Sequence, residues 1–138
     1  MDLQAFLYPI QEKETAFVVS PRFQDEQGPA AWKIRTLTAE EDEQLRRVCT
    51  KLVPVPGQAG QFMPELDYHL YAGKLAAACT VFPDLQLQAL QDAYHVLGAD
   101  ALLKAMLKPG EYLAYIQKIQ EVNGFHISMD DLVDQAKN

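Results

Sequence analysis

The sequence has little to offer for covalent or metal chemistry. Its 138 residues hold two cysteines, Cys49 and Cys79, neither with a Cys or His neighbour at metal-ligand spacing. Such a pair reads as two small buried hydrophobes of a reduced protein, not as a disulfide or a metal clip. There is no H-E-x-x-H, no G-x-S-x-G and no glycine loop that could cradle a phosphate. The three histidines, His69, His95 and His126, stand in separate segments. His69 follows Asp67-Tyr68, but adjacent helix positions point apart, so no local dyad forms. A Cys79–His95 or Cys49–His69 nucleophile pair could arise only through the tertiary fold, and nothing marks either cysteine as reactive. No catalytic residue, metal or cofactor is expected.

Long hydrophobic runs are also missing. The longest, such as Leu75 to Cys79, fall far short of the ~20 residues that span a bilayer, which argues against a membrane protein. Met1-Asp2-Leu3-Gln4 has no basic segment ahead of an apolar one, so no signal peptide is expected and the chain should stay in the cytoplasm. Positive charge is scarce: 12 Lys and Arg face 19 Asp and Glu, for a net charge of −7. The cations are scattered, or at Arg46-Arg47 follow a run of acids, so no basic face is available for nucleic acid.

What remains is an ordinary globular composition, 49% hydrophobic and 22% charged, at a length that suits one domain over 1–138. A chain of this size buries roughly 65–70% of its unfolded surface and needs no staple. No internal repeat or low-complexity tract appears.

Residues Asp2 to Leu7 suit a short helix ending before Pro9. Thr15 to Ser20 and Trp32 to Leu37 each alternate in strand fashion, and Asp25-Glu-Gln-Gly-Pro29 between them is a turn signal. They predict a β-hairpin whose Trp32 side packs on helices, since a lone hairpin is barely stable. Thr38-Ala-Glu-Glu41 is a capping box that opens a helix with acids first and Arg46, Arg47 and Lys51 last. Leu45, Val48, Cys49 and Leu52 would form its buried face. Val53 to Pro64 cannot be helix, because two X-Pro pairs force extended backbone and Gly57 and Gly60 permit a turn. It is either a second small hairpin or an exposed loop, with Phe62 and Met63 tucked into the core or offered to a partner.

Four helical patterns follow. The first buries Tyr68, Tyr71, Leu75, Cys79 and Phe82. Asp84 would cap the second, holding Leu87, Leu90 and Tyr94, with Gly98 as its C-cap. Ala99 to Leu107 is short and apolar. Pro109 opens a helix with Tyr112, Ile116 and Ile119 on one face, stopped at Asn123-Gly124. A last amphipathic turn from Ser128, with Met129, Leu132 and Val133 apolar, would fray over about 126–138. The predicted class is α+β, mainly α, with an N-terminal β-hairpin on a compact bundle of about five short helices. Trp32, Leu45, Cys79, Phe82, Leu90 and Ile116 are its expected core. Compact helices with Gln, Asp and Lys at their polar positions point to binding another protein rather than to turnover.

The segments Trp32-Lys-Ile-Arg35, Cys49-Thr-Lys51, Asp67-Tyr68, Ala78-Cys-Thr-Val-Phe-Pro83, Leu90-Gln-Asp92, Leu103-Lys-Ala-Met-Leu107, Pro109-Gly-Glu-Tyr112 and Glu121-Val-Asn-Gly-Phe125 together resemble the XkdN-like tail assembly chaperones of phages and prophages from Gram-positive bacteria. The likeness runs in order from about Leu3 to about Phe125 and is not evident beyond. It implies a non-enzymatic protein of the host bacterial cytoplasm, absent from the mature virion. Such a protein would bind the tape measure protein and keep it soluble until tail tube subunits polymerise around it. A frameshifted extension would recruit the tube protein, and self-association is compatible with this role. Phe62, Met63, Tyr112 and Tyr115 are the candidate partner contacts. The competing class is a small adaptor or inhibitor that binds one globular host or phage protein. Finally, Ala136-Lys137-Asn138 could be encoded GCA-AAA-AAC, which contains the slippery heptamer A-AAA-AAC. Ordinary codon choice yields the same residues without a slip site.

Overall fold

The computed structural model describes residues 3–7 and 14–125. The last predicted turn, from Ser128, and the final Ala136-Lys137-Asn138 lie outside them. A short helix α1 (Gln4–Leu7) precedes β1 (Thr15–Phe17), β2 (Gln24–Asp25), β3 (Gly28–Pro29) and β4 (Trp32–Ile34). Then come α2 (Ala39–Val48), β5 (Thr50–Pro54), β6 (Phe62–Leu66), α3 (Tyr68–Cys79) and β7 (Thr80–Phe82). Three helices close the described chain: α4 (Gln88–Ala93), α5 (Ala99–Met106) and α6 (Pro109–Val122).

This corrects the expected fold class. Among the described residues there are six helices and seven strands in three sheets, not an N-terminal hairpin on a five-helix bundle. β1 and β4 do pair, Thr15 with Ile34 and Phe17 with Trp32, but β7 occupies the other edge of β4 to give the order β1-β4-β7. β2 and β3 form a two-residue ribbon of their own, and β5 and β6 a third sheet.

The strand β7 falls where the sequence pattern predicts continued helix. Thr80, Val81 and Phe82 are β-branched or aromatic, and Pro83 drives the residue before it into extended backbone. The helix therefore stops at Cys79, and Phe82 turns outward at 53% exposure instead of entering the core. We expect Phe82→Ala to cost no more than about 1 kcal/mol in urea denaturation, as surface substitutions do. A loss of about 3 kcal/mol or more would mean that Phe82 is a core residue.

The core assembles around α3. Its Tyr71, Ala72, Gly73, Leu75, Ala76 and Cys79 are buried, the small residues letting α5 and α6 approach. A Cβ on Gly73 would lie 3.2 Å from the Tyr112 hydroxyl and 3.7 Å from Asp100 Cβ. Beside α3, Trp32 is buried with its ring edge-on to Tyr115 at 5.2 Å and tilted against Phe23 at 6.0 Å. Trp32 and Cys79 are thus core residues as expected, whereas Leu45, Leu90 and Ile116 are only partly buried at its margin.

Local signals succeed at some helix ends and mislead at others. The capping box forms: Thr38 Oγ1 accepts from the Glu41 N–H at 3.2 Å, and Glu41 Oε1 accepts from the Thr38 N–H at 3.0 Å. Asp84 does not cap α4; its carboxylate accepts from the Gln86 N–H in a local turn, and Leu87 occupies the N-cap. Gly98 is the N-cap of α5, not the C-cap of α4. The left-handed residue that ends α4 is His95, at φ 56°, with the Val96 N–H donating back to the Gln91 carbonyl. A side chain in that conformation is strained, so His95→Gly should stabilise the protein by roughly 0.5–1 kcal/mol in thermal unfolding. A destabilised His95→Gly protein would mean that the imidazole makes compensating contacts.

The β1–β4 connection is clamped to α6. Arg22 Nη2 donates to Glu111 Oε1 at 2.5 Å and to the Met106 carbonyl at 3.0 Å. The Arg22 hydrogen bond, then those from the Ser20 hydroxyl and the Lys108 N–H, push the Glu111 carboxyl down to about 2. A carboxylate with a depressed folded-state pKa adds stability above its unfolded value, near 4.5, and loses it as pH falls toward 2. The urea midpoint of the wild type should therefore fall over that window, and fall less in Glu111→Gln. Identical pH profiles for the two proteins would rule out the clamp.

Candidate functional site

The open question of the Val53–Pro64 segment resolves as a hairpin. Val53-Pro54 and Val55-Pro56 hold the backbone extended, and Gly57 and Gly60, at φ 74° and 81°, turn it back. The turn closes with the Val55 N–H donating to the Gln61 carbonyl at 2.9 Å. At the other end the Asp67 N–H donates to the carbonyl of buried Cys49 at 2.8 Å, fastening the ribbon to the core. The pairs between are Thr50 with Leu66, Lys51 with Glu65, Leu52 with Pro64, Val53 with Met63 and Pro54 with Phe62.

Paired residues share a face and neighbours alternate. One face thus carries Thr50, Leu52, Pro54, Phe62, Pro64 and Leu66, and the other Lys51, Val53, Met63 and Glu65. Of the ten strand residues only Val53 and Leu66 are partly buried, so the ribbon projects from the domain with both faces wet. Leu52 is 71% exposed and Phe62 60%. Val48 and Tyr68, at the base of the ribbon, are exposed as well. An apolar face on a two-stranded ribbon adds nothing to folding while it stays in water.

The structure separates the four residues singled out from the sequence. Phe62 is on the uncharged face and Met63, 45% exposed, on the opposite one. Tyr115 is fully buried, its hydroxyl 2.5 Å from Thr80 Oγ1 and its ring against Trp32, so it has no surface to give a partner. Tyr112 is half-buried over Gly73. Leu52 escaped the sequence reading because it completed an i, i+7 helical pattern with Leu45. The helix ends at Val48, and both Val48 and Leu52 face solvent. The β-branched Thr50 and Val53, with Pro54 directly after, were the signal that could have found the strand.

Elsewhere on the described surface lie clefts, among them a pair of about 260 Å³ each. Leu37, Thr38, Ala39, Asp42, Leu75, Asn123 and Phe125 line one, and Leu45, Lys74, Ala77, Ala78, Gln86, Ala99 and Asp100 the other. Neither contains a cysteine or a histidine. Cys49 and Cys79 are free and buried, and burial pushes both thiols up, away from the reactive thiolate. Cys79 Sγ accepts from Asn123 Nδ2 at 3.4 Å. Among the described residues no three His, Cys, Asp or Glu side chains are grouped as a metal ion needs, and no helix is long and apolar enough to cross a membrane.

Known proteins bear on this directly. The model of the phage XkdN-like tail assembly chaperone family matches residues 3–137, which extends the likeness beyond the Phe125 limit drawn from the sequence motifs. The chain is 28% identical over 131 residues to phage-like element PBSX protein XkdN of Bacillus subtilis strain 168, covering 94% of this chain and 87% of that protein. It is 29% identical over 141 residues to YqbN of the same organism, covering 99% and 93%. The crystal structure of YqbN superposes with a TM-score of 0.75 at 24% identity, covering 90% of this chain and 97% of the other, and so shares the fold. A match over nearly its whole length makes this chain a member of the phage XkdN-like tail assembly chaperone family.

Proposed function

We propose that this chaperone binds the tape measure protein and keeps it soluble until tail tube subunits polymerise around it, with the β5–β6 hairpin as the contact. The observation that carries the reading is the apolar face of Leu52 and Phe62, left in water on a ribbon that projects from the domain. A long, mostly helical, aggregation-prone partner exposes an apolar stripe that such a face could cover. Net negative charge keeps many copies soluble along one filament. The binding is reversible, so displacement by the tube protein requires no nucleotide. The protein acts in the host cytoplasm and leaves before the virion is complete. Tyr112 is a secondary contact in this reading.

Co-expression tests it. The tape measure protein of the same phage should move into the soluble fraction when this chain is present, without ATP. Cys49→Ala and Cys79→Ala should retain the effect, because the role is not enzymatic. A tape measure protein that stays insoluble beside folded chaperone would falsify the reading. Activity abolished by a cysteine substitution that leaves the fold intact would reopen an enzymatic role.

A further inference from the structure

The backbone of the hairpin restricts how a partner can bind it. The bonds from Asp67 to Cys49 and from Val55 to Gln61 bracket the ladder. Antiparallel pairing alternates in steps of two, so Lys51–Glu65 and Val53–Met63 are the hydrogen-bonded pairs. Residues 50, 52 and 54 of β5, and 62, 64 and 66 of β6, then aim their backbone polar groups outward, at the free edges. Pro54 and Pro64 both fall at outward positions, where an added strand would need an N–H. Proline at such sites is a device that keeps edges from pairing. Each edge thus lacks one of the three outward N–H groups that a regular added strand would use, which disfavours strand addition and leaves the faces as the better surface to bind.

Charge selects between the faces. Every residue on the Leu52–Phe62 face is uncharged, while Lys51 and Glu65 oppose each other on the reverse face, where Lys51 also lies 3.8 Å from Asp67. An uncharged apolar face complements an uncharged apolar stripe, and a helix presents one without needing a free edge. We infer that the hairpin seats the apolar stripe of a partner helix on its Leu52–Pro54–Phe62–Pro64 face, and does not recruit a strand. This rests on the tape measure protein being the partner.

The test measures affinity of the purified chaperone for the tape measure protein of the same phage, at low and high salt. Leu52→Asp with Phe62→Asp should weaken binding about 30-fold or more, the effect of removing a central apolar anchor. Lys51→Gln with Glu65→Gln should leave it unchanged, and so should added salt. Pro54→Thr with Pro64→Thr, which opens both edges, should not tighten it. The amide I band of isotopically labelled tape measure protein should remain helical on binding. A thermal melt checks that each variant is folded, and Leu52→Ala with Phe62→Ala takes over if the aspartates disturb the ribbon. Full affinity in the Leu52/Phe62 variants overturns the inference but spares the tape measure reading. So does tighter binding by the proline double variant, or a bound partner that turns to strand. A wild-type chain that fails to bind the tape measure protein overturns both.

Discussion

Trp32→Ala is expected to destabilise the protein by about 3–5 kcal/mol, the range for emptying a large aromatic site in a packed core. Trp32 is 2% exposed and is the residue through which the sheet grips the helices. Its ring meets Tyr115 of α6 on one side and Phe23 of the β1–β4 connection on another, and Phe17 stacks on Tyr115 at 6.4 Å. The neighbours cannot collapse into the gap, because Tyr115 is held at Thr80 by its hydroxyl. Trp32→Phe keeps most of the ring contact and should lose much less. Urea denaturation of both variants measures the difference. A Trp32→Ala loss under about 1 kcal/mol would mean that the sheet does not rely on this cluster.

The second large effect is expected where α2 meets α3. The hydroxyl of buried Tyr71 donates to Asp42 Oδ1, while Arg46 Nε donates to Asp42 Oδ2 at 2.9 Å and its guanidinium lies 4.6 Å from the centre of the Tyr71 ring. Asp42→Ala strands the Tyr71 hydroxyl and should cost about 1–3 kcal/mol, the range for a buried polar group without a partner. Tyr71→Phe in the same chain removes the stranded group, so the double variant should recover much of that loss. The cycle of the two single variants and the double variant reads the coupling directly. Additive losses would show that Asp42 acts on α2 alone, through the helix dipole.

Both sites illustrate what was legible before the fold was known. The alternation of Trp32, Lys33 and Ile34 made Trp32 a core residue, because a strand with one wet face has only one place for its apolar side chains. The capping box at Thr38 was equally readable, since its hydrogen bonds join residues three apart. The pairing of Asp42 with Tyr71 was not: the two are 29 residues apart, and only the approach of α2 to α3 brings them together.

The same division holds for the candidate site. Gly57, Gly60 and the three prolines Pro54, Pro56 and Pro64 were enough to exclude helix and leave a hairpin or loop, because proline's lack of an N–H acts locally whatever surrounds it. Three further things were decided by tertiary structure. Phe82 left the core because a third strand was needed beside β4, a demand made by residues almost fifty positions earlier. Tyr115 went inside because Trp32 and Thr80 were there to meet it, whereas a helical pattern alone gives a face but not its neighbour. Leu52 and Phe62 came to share one exposed face because register, set by the turn, determines which residues of two strands stand opposite. From its own residues the chain determined the Thr38 capping box, the proline-glycine turn and one buried strand face. Which apolar side chains were buried and which were left for a partner depended on contacts between distant segments, and those exist only once the chain has folded.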